Sequence, residues 1–168
     1  MRLAYVTAER GSCNRKQVGA LVVRDRDKRI IASGYNGAPR GMPDCIHVGC
    51  DVRVIDGRES CVRTLHAESN ALDLCGPLSE PHTLYTTVIP CRNCALRIIQ
   101  AGIQTVFYHE YYESQGTKEV EKLFADGDAM DFQSSIRDGK ERRHARVVMQ
   151  RVDLPMELVK PLWVEPSV

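Results

Sequence analysis

Over most of this chain the apolar residues fall into short runs separated by polar turns, with few long helical stripes. Residues 18–23 (VGALVV) form an unbroken apolar segment of the kind buried in a sheet. The charged turn RDRDK leads from it to residues 30–34 (IIASG), which predicts a β-hairpin. Ahead of it, residues 3–10 have the spacing of a short amphipathic helix ended by Gly11. Residues 35–61, rich in Gly, Pro, Asp and Cys, show no usable period and read as a long loop, a length that is usually functional or stapled. Residues 66–74 and 91–101 then read as helices and residues 83–87 and 105–108 as strands, with Gly102 where a glycine closes a helix. Thr117 is placed to cap a short helix with Val120, Leu123 and Phe124 on one face. Residues 126–144 are polar and irregular, residues 146–152 predict a last strand, and the tail carries Pro155, Pro161 and Pro166. A hairpin followed by alternating helices and strands predicts a mixed sheet with helices packed on it, in a single domain over residues 1–168. The core spans about 10–126, with an irregular extension over 127–168.

Candidate chemistry is concentrated between Thr64 and Ala101. TLHAESNAL, a strand-like LYTT and then IPCRNCALRIIQAG present His66, Cys91 and Cys94 as metal donors, with the carboxylate of Glu68 beside them. Zinc favours such nitrogen and sulfur sets, and a catalytic zinc keeps three protein ligands and one open position. Cys91 and Cys94, three apart, share one face of a helix. Pro90 suits a helix start, and a helix N-terminus favours the thiolate. An H-x-E alone is noise, and a lone C-x-x-C is more often half of a structural zinc knuckle or a redox pair. The two in this order, each opening a helix with a strand between, match the signature of zinc-dependent nucleobase deaminases.

Composition narrows the partners. Hydrophobic residues at 43% and charged residues at 27% are ordinary for a globular chain. The net charge of +1 gives no general case for nucleic acid or membrane as partner, and no apolar run approaches the ~20 residues that cross a bilayer. The first residues, MRLAYVTAERGS, lack a signal-peptide apolar region. Seven cysteines clustered beside His66 fit metal chemistry in a reducing compartment, so a cytoplasmic location is expected.

SCNRKQVGALVV, GYNGAPRG, CVRTLHAESNAL, PCRNCA and QAGIQTVFY, in this order over about residues 10–112, closely resemble the deoxycytidylate (dCMP) deaminases. The resemblance implies a three-layer α/β/α cytidine-deaminase-like sandwich with a central mixed sheet of about five strands. It implies hydrolysis of dCMP to dUMP and ammonia, supplying dUMP for thymidylate synthesis, by a homo-oligomer (hexamer or dimer). By position it makes His66, Cys91 and Cys94 the ligands of a catalytic zinc and Glu68 the proton shuttle. Asn36, Arg15 and Tyr112 become residues of the nucleotide site. Members of the family are often activated by dCTP and inhibited by dTTP near the loop after GYNG, which implies an effector site, with Mg²⁺ on the triphosphate, at Gly37, Arg40 and Gly41. The family pattern has a longer helix ahead of Leu3 and a shorter C-terminal region than this chain. A cytosine nucleotide such as dCTP or a modified dCMP is the alternative substrate, and the bases of RNA or single-stranded DNA are another.

Four more cysteines, Cys13, Cys45, Cys50 and Cys61, flank the long loop and would close a tetrahedral structural zinc site, with His47 in reserve; buried free thiols are the plainer alternative. Cys75 is expected to be a core residue. KERRHAR (140–146) reads as a solvated turn, and Tyr108, Tyr111 and Tyr112 as residues of the core and the rim.

Overall fold

The computed structural model describes residues 1–55, 58–111, 115–126 and 147–155. Helix α1 (Arg2–Ala8) precedes strands β1 (Gly19–Arg24) and β2 (Ile30–Tyr35). The short helix α2 (Cys45–Val48) and strands β3 (Val52–Ile55) and β4 (Arg58–Cys61) follow. Then come α3 (Ala67–Cys75), β5 (His82–Val88), α4 (Arg92–Ala101), β6 (Thr105–Glu110), α5 (Gln115–Asp126) and β7 (Val148–Arg151). Five strands form one mixed sheet in the order β2-β1-β5-β6-β7. Strand β1 is antiparallel to both neighbours, whereas β6 is parallel to both β5 and β7.

The layering follows from the alternation of side chains along β1, since successive residues of a strand point to opposite faces. Ala20 and Val22 enter a large core with Leu84, Ile98, Ile103 and Val106, which α3, α4 and α5 complete through Ala71, Ala95 and Phe124. Leu21 and Val23 pack instead with Ala4 of α1, and Tyr85 joins them. One helix therefore covers one face and three cover the other. Fully buried Leu84, Ile98 and Ile103 are each worth about 1.5–3 kcal/mol by area removed from water, so the cluster dominates the stability of the sheet. Helix α4 ends as its sequence implies, with Gly102 at φ 81° and its N–H returned to the carbonyls of Ile98 and Ile99.

Three expectations change. Residues 35–61 are not an unbroken loop: they hold α2 and the β3–β4 hairpin, a separate two-stranded sheet. All four residues of β3 are exposed, although Val52, Arg53 and Val54 alternate apolar and polar in the sequence. Helix α5 starts at Gln115, ahead of Thr117, which is buried inside it and does not cap it. The last strand is shorter than 146–152. Of the expected irregular stretch 126–144 only Asp126 is described, as the last residue of α5; the basic turn 140–146 and most of the proline-bearing tail lie outside the described residues.

Two glycines let helices lie on strands at backbone distance. A Cβ on Gly19 would stand 2.0 Å from the Ala4 carbonyl oxygen. On Gly34 it would stand 2.2 Å from the Ala67 carbonyl oxygen and 2.4 Å from the Ala71 nitrogen. Gly34→Ala is therefore expected to push α3 off β2 and to cost about 1–3 kcal/mol, the usual range for overpacking. Denaturant unfolding beside Ser33→Ala, an exposed neighbour expected to change stability by less than ~0.5 kcal/mol, measures it; equal midpoints for the two variants would contradict this packing.

Candidate active site and metal centres

Helices α3 and α4 begin beside one another, and the residues that open them meet. His66 and Cys91 are the N-caps, both with extended backbone (φ −79°, ψ 151° and φ −74°, ψ 167°), and neither spends its side chain on capping. Their carbonyls accept the first helical bonds, from Asn70 N at 3.0 Å and Ala95 N at 2.9 Å, so both helices are well formed while the side chains stay free. His66 Nδ1 lies 3.3 Å from Cys91 Sγ and 3.4 Å from Cys94 Sγ, and the three donor atoms all lie within 4.8 Å of one another. Tetrahedral zinc with bonds of about 2.05 Å to nitrogen and 2.3 Å to sulfur places such donors about 3.6 Å apart. Pro90 stands one residue outside the cap and is not the first helical residue.

The electrostatics of the trio suit a cation. The Cys94 thiol, with His66 beside it, holds Cys91 down to about 4 against the opposing effect of burial. Cys91 in turn raises His66 to about 9, and Cys91 and burial push the Cys94 thiol up. A divalent ion takes such donors in their deprotonated forms, so its binding there would release protons. Glu68, 4% exposed, stands two residues beyond His66 on the same helix; burial raises it to about 7, opposed by His66. The donor set fits zinc, with a carboxylate close by that is not one of the three donors.

Cys13, Cys45, Cys50 and Cys61 also gather, with all four Sγ atoms within 4.8 Å of one another. Cys13 and Cys50 are 3.9 Å apart and Cys45 and Cys61 3.6 Å, near the ~3.8 Å edge of a tetrahedral Zn–S₄ site. All four are free thiols. Backbone and polar contacts bring them together. Ile46 N donates to Ser12 O at 3.2 Å, Asn14 Nδ2 to Cys45 O at 3.1 Å, and the Ser12 hydroxyl to Asp44. Burial pushes Cys45 up to about 12. Burial also acts to raise Cys61, but N–H donation from Arg63 and the neighbouring thiols outweigh it, leaving that thiol at about 7. His47, the reserve ligand, is exposed and outside the cluster. Cys75 packs against the main core.

A cavity of about 260 Å³ adjoins both clusters, lined by His66, Glu68 and Cys91 of one and Cys13 and Cys61 of the other. Arg15 and Asn36 line it too. The Asn36 amide clasps the segment before β1: Nδ2 donates to Lys16 O at 2.7 Å, and Oδ1 accepts from Val18 N at 2.8 Å. Gly37 is bridged to Leu65, next to His66, while Arg40 and Gly41 are exposed and line no part of the cavity. Tyr112 lies outside the described residues, and Tyr108, buried with its ring 6.4 Å from that of Tyr111, is not in the cavity wall. The sequence reading missed Lys16, Val88 and Ile89 as wall residues. Lys16 adjoins Arg15 in the chain, a signal that was available. Nothing marked Val88 and Ile89 before the register of β5 was known.

Residues 1–110 match the model of the cytidine and deoxycytidylate deaminase zinc-binding region. ComE operon protein 2 of Bacillus subtilis is 44% identical over 117 residues, 68% of this chain and 59% of that protein. The deoxycytidylate deaminase of Saccharomyces cerevisiae is 40% identical over 117 residues, 67% of this chain and 36% of that protein. The chain thus spans less than two thirds of either relative. Among solved structures, the dCMP deaminase of cyanophage S-TIM5 in complex with dCMP and dUMP superposes with a TM-score of 0.60 at 26% identity, covering 90% of this chain and 92% of that one.

Proposed function

The chain belongs to the cytidine and deoxycytidylate deaminase zinc-binding family, and on that premise we propose that it hydrolyses dCMP to dUMP and ammonia, a supply of dUMP for thymidylate synthesis. The observation that carries this reading is the convergence of His66, Cys91 and Cys94, with His66, Cys91 and buried Glu68 in the wall of one cavity. The cyanophage enzyme of similar fold, which binds dCMP and dUMP, supports the choice of nucleotide.

Zinc held by His66, Cys91 and Cys94 would supply Lewis acidity and a water of lowered pKa. Glu68 accepts a proton from the attacking water and delivers it to the cytosine N3. It then carries a proton to the amine as the C4–N bond breaks, so that ammonia leaves and the uracil carbonyl remains. Burial serves this work, because a carboxyl whose pKa lies near neutrality both takes and gives protons. Asn36 fixes the wall on which the nucleotide rests, and Arg15 is the candidate partner of its phosphate.

The second cluster is read as a structural zinc site that staples α2 and the β3–β4 hairpin to the body. Regulation by dCTP and dTTP is assigned to the loop 37–41, which the Gly37–Leu65 bridge couples to His66 by a single step. A homo-oligomer would give such regulation its cooperativity.

Glu68→Gln is expected to retain zinc while turnover of dCMP falls at least ~10²-fold; activity within about tenfold of wild type would remove the assigned role. Cys91→Ala should lose metal and activity together. Elemental analysis of fully loaded protein should give about two zinc equivalents per chain, and Cys45→Ser should lose about one of them and melt at a lower temperature. One equivalent in the wild type would rule out the second site. Saturation by dCMP should be sigmoidal and become hyperbolic with dCTP, and Arg40→Ala should abolish that response; superimposable hyperbolic curves would leave the loop purely structural.

A further inference from the structure

Four sulfurs that converge on one point can end as the ligands of a metal ion or as two disulfides, and the second cluster has the geometry for both. Cys13 and Cys50 stand 3.9 Å apart and Cys45 and Cys61 3.6 Å. The two pairs share no sulfur, so both can close together and leave none over. A disulfide is about 2.05 Å long, so each sulfur has to travel under about 1 Å toward its partner. Cys50 and Cys61 are half-buried, whereas Cys13 and Cys45 are buried. Cys61 lines the cavity beside His66 and also a hollow of about 810 Å³ between the β3–β4 hairpin and the starts of α4 and α5. A small solute entering either one therefore meets a cluster sulfur. Apolar burial does little to fasten this region: Val54 is 72% exposed, Ile55 is 47% exposed, and the hairpin is a sheet of its own.

We propose that Cys13, Cys45, Cys50 and Cys61 form a site of reversible oxidation by hydroperoxides, at which the disulfides Cys13–Cys50 and Cys45–Cys61 replace the zinc ion and shift the cavity wall. This rests on the structural-zinc reading above and adds to it a chemistry and a pairing. For each disulfide, one thiolate attacks a peroxide oxygen and becomes a sulfenic acid as the O–O bond breaks, and the departing oxygen takes up a proton. The partner thiolate then attacks that sulfur, and the sulfenic oxygen leaves as water with a second proton. The two sulfurs lose the two electrons that one hydroperoxide gains. With a partner this near, the sulfenic acid condenses before it is oxidised further. Four thiolates around a divalent ion keep a net double negative charge, whereas His66 with the thiolates of Cys91 and Cys94 leaves none. The cluster is thus the more electron-rich nucleophile, and Cys91, which faces the same cavity, is the slower to react. A disulfide carries no charge to hold a cation, so the oxidised site gives up its metal. Cys13 and Cys61 are wall residues, and their movement carries the change to the cavity.

Treating the zinc-loaded wild-type protein with about two molar equivalents of hydrogen peroxide per chain tests this, since each disulfide consumes one. Released zinc is read with a chromogenic chelator, and the thiols by alkylation after denaturation and peptide mass mapping. About one zinc equivalent per chain should appear, both disulfides should form, and Cys75, Cys91 and Cys94 should still be alkylated. Turnover of dCMP should fall at least about tenfold, the scale of an ångström-sized displacement in a site, and dithiothreitol with zinc should restore it. The oxidation site is overturned if protein holding about two zinc equivalents releases neither, if Cys91–Cys94 is the disulfide that forms, or if the cluster sulfurs become sulfinic acids instead. Unchanged turnover with both disulfides in place overturns the link to the cavity wall. The readings beneath it fail separately. About one zinc equivalent before treatment, with both disulfides formed after it, removes the structural-zinc reading and upholds the thiol chemistry. No dCMP turnover by the untreated protein removes the catalytic reading, while zinc release and both disulfides still uphold the oxidation site.

Discussion

Where α3 lies on β2 decides where the chemistry can be. Gly34 has no side chain, so the backbone of Ala67 and Ala71 comes down onto the strand, and His66 and Glu68 arrive at the sheet with it. Cys91 and Cys94 reach the same place by another route, because β5 lies next to β1 and α4 starts where β5 ends. The metal trio is therefore a measure of two packings at once, helix against strand and strand against strand. A few tenths of an ångström at Gly34 would be felt as a changed distance between His66 and the two sulfurs.

The region between β2 and α3 is built on different terms. Val54 and Ile55 of the β3–β4 hairpin are exposed, and an isolated two-stranded hairpin is marginal in water. Cys45 is fully buried, but among the other cysteines rather than within either hydrophobic core. Where apolar burial is absent, four converging thiols and the Asp44 contacts to Ser12 and Ala38 take its place. This explains how a stretch with so little core presents Cys61 and Ser60 to the cavity wall.

Much of the sheet and the metal trio was legible in the sequence, because each rests on local spacing. VGALVV is a strand on composition alone, and His66, Glu68, Cys91 and Cys94 are placed by the start of the helix to which each belongs. The β3–β4 hairpin left a signal that was passed over: Val52-Arg53-Val54 alternates and Asp56-Gly57 is a hairpin dipeptide, but the surrounding Gly, Pro and Cys residues read as loop. Cys13, Cys45, Cys50 and Cys61 were legible as a group of candidates only; their convergence depends on bonds such as Ile46 N to Ser12 O that no spacing encodes. The meeting of Lys16 with Glu110 was least accessible of all. It needs the register of β6 on β5 and the reach of Tyr5 from α1, three parts of the chain far apart in sequence.

The order of the residues along the chain also has a temporal meaning. During synthesis the four clustered thiols have all been made once Cys61 is added, before any of β5 exists. The trio around His66 needs Cys94, and the central pairing of β1 with β5, such as Leu21 with Tyr85, must also wait. Local groupings form ahead of distant strand pairings, and N-terminal parts of a chain have the first opportunity to fold. The sulfur cluster and the part of the cavity wall it carries can thus assemble before the strand and helix bearing Cys91 and Cys94 emerge to close the cavity.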